Sequence, residues 1–202
     1  MTKQKQTPEL ILASSSPRRL DLLKQIGLTP DKVVSGNIDE TALKNELPKD
    51  LPGHLAELKA KAVKEKEKSG YAAYILAADT VVACGRRILG KPENRVEAEN
   101  FLSLLSGRRH RVYGGIALLC PDGRIVSRTV LTMVQFKRLS RDEMDFLLNT
   151  GEWEGKAGGY AIQGFSGAFV KSIQGSYTNV VGLSLYDTAR ILTGNGFHWM
   201  QP

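Results

Sequence analysis

The sequence predicts a mixed α/β fold in which helices flank a central sheet. Three observations carry that expectation. The chain has 202 residues, 42% of them hydrophobic, enough to bury one substantial core in one domain or one domain with two lobes. Apolar strand patterns alternate with amphipathic helix patterns through the first half. Two long strand patterns joined by a tight turn then follow, the mark of an antiparallel pair.

Residues Glu9 to Ala13 read as a short apolar strand. Ser16 then suits an N-cap, Pro17 the first helical position and Gly27 the end of an amphipathic helix. Lys32 to Ser35 is a second strand, and a long polar connection runs from Gly36 to Gly53. Leu55, Leu58 and Ala62 mark a helix from His54 to Lys68, closed by Gly70. Tyr74 to Ala78 is an apolar strand buried on both faces that delivers Asp79 and Thr80 to its end. A hairpin at Cys84 to Arg87 leads to Leu89-Gly90-Lys91-Pro92, and a helix runs from Val96 to Leu105. Strands from Arg111 to Leu119 and from Arg124 to Phe136 are joined by the turn Pro121-Asp122-Gly123. Ser140 and Glu143 form a capping box for a helix through Asn149. Gly155 to Gly182 reads as short strands and tight loops whose glycines permit close backbone approach, and a helix from Leu183 to Leu192 precedes the tail.

Arg18 and Arg19 fall in the first turn of a helix, where the dipole disfavours cations by a few tenths of a kcal/mol. An anion at that end, held by backbone N–H groups, the hydroxyls of Ser14 to Ser16 and two guanidinium forks, would offset the cost. Two solvated arginines are the plainer reading, and the pair alone does not decide between them. Glu40, Asp79 and Lys91 also sit in loops or at element ends, and Lys59 lies in a helix. Each has a plain explanation as a cap or a solvated charge. Together they suit a polyphosphate site: carboxylates for a hard divalent cation, and cations to neutralise phosphate charge.

Other chemistries find less support. His54, His110 and His198 are scattered, so a hydrolytic triad has no pattern behind it. The net charge of +7 favours anionic partners, but the basic run Arg108 to Arg111 lacks the interleaved aromatic residues of a single-strand platform. It reads as a solvated strand entrance, and no nucleic-acid partner is expected. Cys84 and Cys120 form no metal-ligand spacing. Residues 1 to 8 carry no signal-peptide pattern, and no run approaches the ~18 apolar residues of a membrane span. A cytoplasmic protein without membrane attachment is expected.

The ordered blocks Leu12 to Arg19, Ile38 to Thr41, Ala56 to Ala62, Ala78 to Val82, Leu89 to Pro92, Lys156 to Gly164 and Gly175 to Leu183 resemble the Maf family of nucleoside triphosphate pyrophosphatases. The resemblance implies one domain over residues 1–202, related to inosine triphosphate pyrophosphatases, with a nucleotide cleft between two lobes and a homodimer as assembly. It implies hydrolysis between the α and β phosphates with a divalent cation, Mg²⁺, Mn²⁺ or Co²⁺. Asp79 would act as general base or as a metal ligand, with Glu40 as second ligand. Ser14, Arg18, Arg19, Lys59 and Lys91 would hold the triphosphate. Arg18, Thr80 and Gln163 match the branch acting on dTTP and UTP, and the amide of Gln163, donor and acceptor at once, suits a pyrimidine edge. Gly114 departs from the family's threonine, which removes a hydroxyl near the cleft, and Ser184 departs from a proline, which loosens the start of the last helix. A role in cell division, exerted by binding a partner, is the alternative from another class.

Overall fold

A computed structural model of the chain describes residues 8–38, 46–67 and 73–200. Its strands are β1 (Glu9–Ala13), β2 (Lys32–Val33), β3 (Ala73–Cys84), β4 (Arg87–Leu89), β5 (Arg109–Leu119), β6 (Ile125–Phe136) and β7 (Val170–Gln174). The helices are α1 (Pro17–Gln25), α2 (Leu51–Lys66), α3 (Arg95–Leu105), α4 (Arg141–Asn149), α5 (Tyr177–Val181) and α6 (Leu185–Gly194). One seven-stranded sheet runs β2-β1-β3-β5-β6-β7, with β4 paired to β3. The β1–β2 and β1–β3 pairs are parallel, and the remaining pairs are antiparallel. The expected mixed α/β sheet with flanking helices is what the chain forms.

β3 differs most from its sequence reading. It does not stop at Ala78 but continues through Asp79 and Thr80 to Cys84, because β5 pairs with it without a break from Ile75 to Ala83. Its other edge is interrupted. β1 pairs only as far as Ala77 and β4 only from Val82. Residues 78–81 therefore have a strand on one side and, among the described residues, none on the other.

Alternation along the strands sorts the core by face. Leu10, Leu12, Leu76 and Ala78 pack with Leu22 and Leu23 of α1 and Ile191 and Leu192 of α6. Ile11, Ala13, Ile75 and Ala77 pack with Ala60 and Val63 of α2. Beyond the gap, Val82 joins α3, α4, Phe136, Tyr160 and Ile162 in a separate cluster, so the two lobes meet at the interrupted edge. Asp79 and Thr80 consequently face opposite sides of the sheet.

Two adjacent glycines let helices approach β5 on both faces. Gly115, in register with Asp79, would bring a β-carbon to 1.9 Å from the carbonyl oxygen of Pro52 at the start of α2. Gly114, in register with Thr80, would bring one to 1.9 Å from Oδ1 of Asn179 in α5. The buried Asn179 amide donates to the carbonyls of Val112 and Val130 at 3.2 Å each and to the Thr132 hydroxyl at 3.0 Å, tying α5 to two strands. Gly114 thus makes room for a helix.

Smaller differences have local causes. α2 begins at Leu51, because Pro52 is well placed in a first turn. The strand read from Lys32 to Ser35 contracts to Lys32–Val33. The final helix, read from Leu183 to Leu192, runs from Leu185 to Gly194 as α6, and a short helix, α5, forms before it in the stretch read as short strands and tight loops. Ser184 does not loosen α6: its hydroxyl accepts from the Asp187 amide, an N-cap, and donates to the Asp187 carboxylate at 2.7 Å. The capping box of Ser140 and Glu143 forms as read.

The basic run is not solvated throughout, since the pleat turns His110 inward between exposed Arg109 and Arg111. Its Nε2 shares a 2.7 Å hydrogen bond with the Tyr160 hydroxyl, and Phe136 and Tyr160 pack around the ring. Burial lowers the imidazole pKa to about 4 and raises that of the Tyr160 phenol.

Overpacking against a fixed backbone costs roughly 1–3 kcal/mol. Gly115→Ala should therefore lower the urea and thermal midpoints, and unchanged midpoints would show that α2 does not rest on Gly115. His110 generates a pH dependence. Unfolded, it takes a proton near its ordinary 6.5; folded, it resists until about 4. The unfolded state binds more protons in that window, so stability falls as pH drops through it, by up to roughly 3 kcal/mol. Urea melts between pH 7 and 4 should show a shallower acid loss in His110→Gln than in the wild type, and equal slopes would remove His110 as the cause.

Candidate active site

The gap beside residues 78–81 opens into a cavity of about 500 Å³ lined from both lobes. Ser14, Arg18, Arg19, Lys59, Asp79, Thr80, Lys91 and Gln163 all contribute to its wall. Every expected site residue that the structure describes is therefore brought together. Glu40, expected as a second carboxylate ligand, lies outside the described residues.

β1 ends at Ala13 and releases Ser14, which is buried, into a turn whose Ser16 amide donates to the Ser14 hydroxyl at 3.2 Å. α1 then starts with Ser16 as N-cap residue and Pro17 in the first turn, without a side-chain capping bond. Arg19 turns back from that helix. Its Nε donates to the Gly182 carbonyl at 2.9 Å, and its terminal nitrogens donate to the Ser14 hydroxyl at 3.1 Å and the Thr80 hydroxyl at 3.3 Å. Three of its five N–H donors thus join the β1–α1 turn, β3 and the end of α5. Two are left for a ligand. Arg19 is a clamp between these three segments.

Asp79 and Thr80 take their partners from opposite faces. Lys59, in the middle of α2, forms an ion pair with Asp79 at side-chain exposures of 17% and 15%. Arg19, from α1, reaches Thr80 on the other face. Sequence spacing left open whether Lys59 points inward; the packing of α2 across β3 and β5 turns it onto the carboxylate.

The cavity is strongly cationic. Burial lowers the pKa of Arg18. It lowers that of Arg19 as well, where Asp79 opposes the shift and Arg18 adds to it. Desolvated cations of like sign gain from any anion that enters. Lys156 belongs to the same group and was missed from the sequence. It lines the cavity, and burial followed by the charge of Arg18 lowers its pKa. Its one sequence signal was its place at the head of the glycine-rich Lys156 to Gly164 block. Tyr160 also lines the wall, its ring set by the bond to His110. Gln163 is exposed at the rim of the second lobe.

The family model described as Maf-like protein matches residues 9–195. The chain is 59% identical over 188 residues to the dTTP/UTP pyrophosphatase of Paramagnetospirillum magneticum, covering 93% of this chain and 97% of that one. It is 53% identical over 200 residues to the dTTP/UTP pyrophosphatase of Agrobacterium fabrum, covering 98% and 96%. Among solved structures it is similar to the Ham1 protein of Staphylococcus aureus, with TM-score 0.41, 18% identity and coverage of 63% and 71%. It is also similar to a nucleoside-triphosphatase / dITP/XTP pyrophosphatase of Mycobacterium abscessus, with TM-score 0.43, 14% identity and coverage of 93% and 94%. Likenesses that loose decide nothing about activity.

Proposed function

The chain belongs to the Maf-like protein family, and on that footing we propose that it is a hydrolase converting nucleoside triphosphates, dTTP and UTP first among them, to the monophosphate and pyrophosphate. The observation that carries this reading is one carboxylate, Asp79, among five cations, Arg18, Arg19, Lys59, Lys91 and Lys156, in one cavity among the described residues. The substrate names of relatives at 59% and 53% identity support the pyrimidine preference.

Hydrolysis at the α phosphorus needs a water oxygen to attack while the bond to the α–β bridging oxygen breaks. The bridging oxygen and both outer phosphates leave together as pyrophosphate. Asp79 accepts the proton from the attacking water. Arg18, Arg19, Lys59 and Lys91 hold the triphosphate and offset the charge that builds on the leaving pyrophosphate, an effect strongest where water is excluded. Ser14 adds a hydroxyl to the same end. Thr80 and Gln163 select the base, the amide pairing with a carbonyl and an N–H on one pyrimidine edge.

A divalent cation fits this donor set. A hard cation takes oxygen ligands and needs only one or two carboxylates when phosphates supply the rest. Asp79 is an oxygen donor on the cavity wall, and no cluster of three metal-binding side chains occurs among the described residues. That pattern suits an ion shared with the substrate. Asp79 and Glu40 would hold Mg²⁺, Mn²⁺ or Co²⁺, which would supply charge neutralisation and a more acidic water. The whole chain acts as one catalytic domain, modified pyrimidine triphosphates fall within the same substrate class, and a homodimer in the cytoplasm is the setting proposed. No described helix is long and apolar enough to cross a membrane.

Asp79→Asn keeps the shape and removes the base. Turnover of UTP, read as pyrophosphate release, should fall by about a hundredfold or more, and turnover equal to wild type would remove Asp79 from the chemistry. Gln163→Glu replaces a donor with a second acceptor and should cost roughly tenfold or more in kcat/KM for UTP without a comparable loss for a purine triphosphate. Equal losses for both would deny the residue a part in base choice.

A further inference from the structure

The ion pair between Lys59 and Asp79 bears on how a metal reaches the site. Both side chains are largely covered, at 17% and 15% exposure, and both line the cavity that the nucleotide would fill. The ammonium of Lys59 therefore lies against a carboxylate oxygen where a divalent cation would have to bind. The same cavity is lined by Arg18, Arg19, Lys91 and Lys156. A free dication entering the cavity meets the repulsion of these cations and a competitor already on its ligand. A triphosphate meets the opposite: its charge neutralises the cations, and its oxygens offer Lys59 a new partner.

We propose that Lys59 is a cationic stand-in on Asp79, so that the free protein binds divalent metal weakly and the nucleotide opens the metal site by drawing the ammonium onto its phosphates. The proposal rests on the nucleotide-hydrolase reading and adds an order of binding to it. Lys59 is a positioning residue here, acting on the metal through Asp79. By linkage, the nucleotide strengthens metal binding by the same factor as the metal strengthens nucleotide binding.

Mn²⁺ is the probe, with free ion followed by electron paramagnetic resonance and heats by calorimetry, in the full chain with and without α,β-methylene-UTP. Mn²⁺ should bind the wild-type protein about tenfold or more weakly alone than with the analogue. Lys59→Gln should tighten Mn²⁺ binding to the nucleotide-free protein about fivefold or more, whereas Lys59→Arg, which keeps the charge, should bind as weakly as wild type. Analogue affinity without metal is measured in parallel. Failure of the analogue to bind would overturn the nucleotide reading and this proposal with it. Analogue binding together with equal Mn²⁺ affinity in its presence and absence, or with no gain in Lys59→Gln, would overturn this proposal alone.

Discussion

β3 is hydrogen-bonded to β5 along one edge without interruption and, among the described residues, along the other only towards its two ends. The site depends on that asymmetry. A strand bonded on both sides would have β1 or β4 running past Asp79 and Thr80, with no room for a ligand; a strand released from β5 would lose its register. Held by β5, the two residues keep their register and line the cavity. Their alternation then determines which helix serves each: α2 delivers Lys59 to Asp79, and α1 delivers Arg19 to Thr80. Across the ladder, Gly115 and Gly114 do the matching work, removing the side chains that would hold α2 and α5 away from β5.

The charge arrangement runs against stability. Arg18 and Arg19 sit at the wrong end of a helix dipole, and both lose solvation along with Lys156. The fold offsets part of this by putting Arg19 to structural use, bonding it to three separate segments, and by facing Lys59 with Asp79. Glu152 and Glu154 ease the repulsion at Lys156 and Asp79 eases it at Arg19, while burial still lowers the pKa of each. Local rules are broken in this way where a ligand is meant to complete the structure. By contrast, the His110 and Tyr160 pair is neutral and enclosed, and it stiffens the far wall without adding to the field.

Much of this was legible from residue order. The alternation of strand and helix, the Pro121 to Gly123 turn, the Ser140 capping box and the Pro17 helix start are set by interactions within a few residues, and they appear where the patterns put them. Arg18 and Lys91 stood out in the sequence as charges at a helix start and in a loop, and Asp79 as a charge at a strand end that the structure carries on to Cys84; the three line one cavity. The true length of β3, the inward turn of His110 and the membership of Lys156 were not legible. Each depends on a neighbour far away in sequence: β5 for the strand, Phe136 and Tyr160 for the imidazole, Arg18 for the lysine.

The sequence by itself determined the fold class, the family and the set of charged residues to watch, because propensity, capping and periodicity act over short spans and the matching blocks lie in fixed order. Only the tertiary structure decided that those residues share a cavity, that Arg19 is a clamp, and that Lys59 lies on Asp79. Side-chain direction on a helix or strand is free until the sheet supplies the surface it packs on, and the interrupted edge of β3 is a property of three strands that no local pattern encodes.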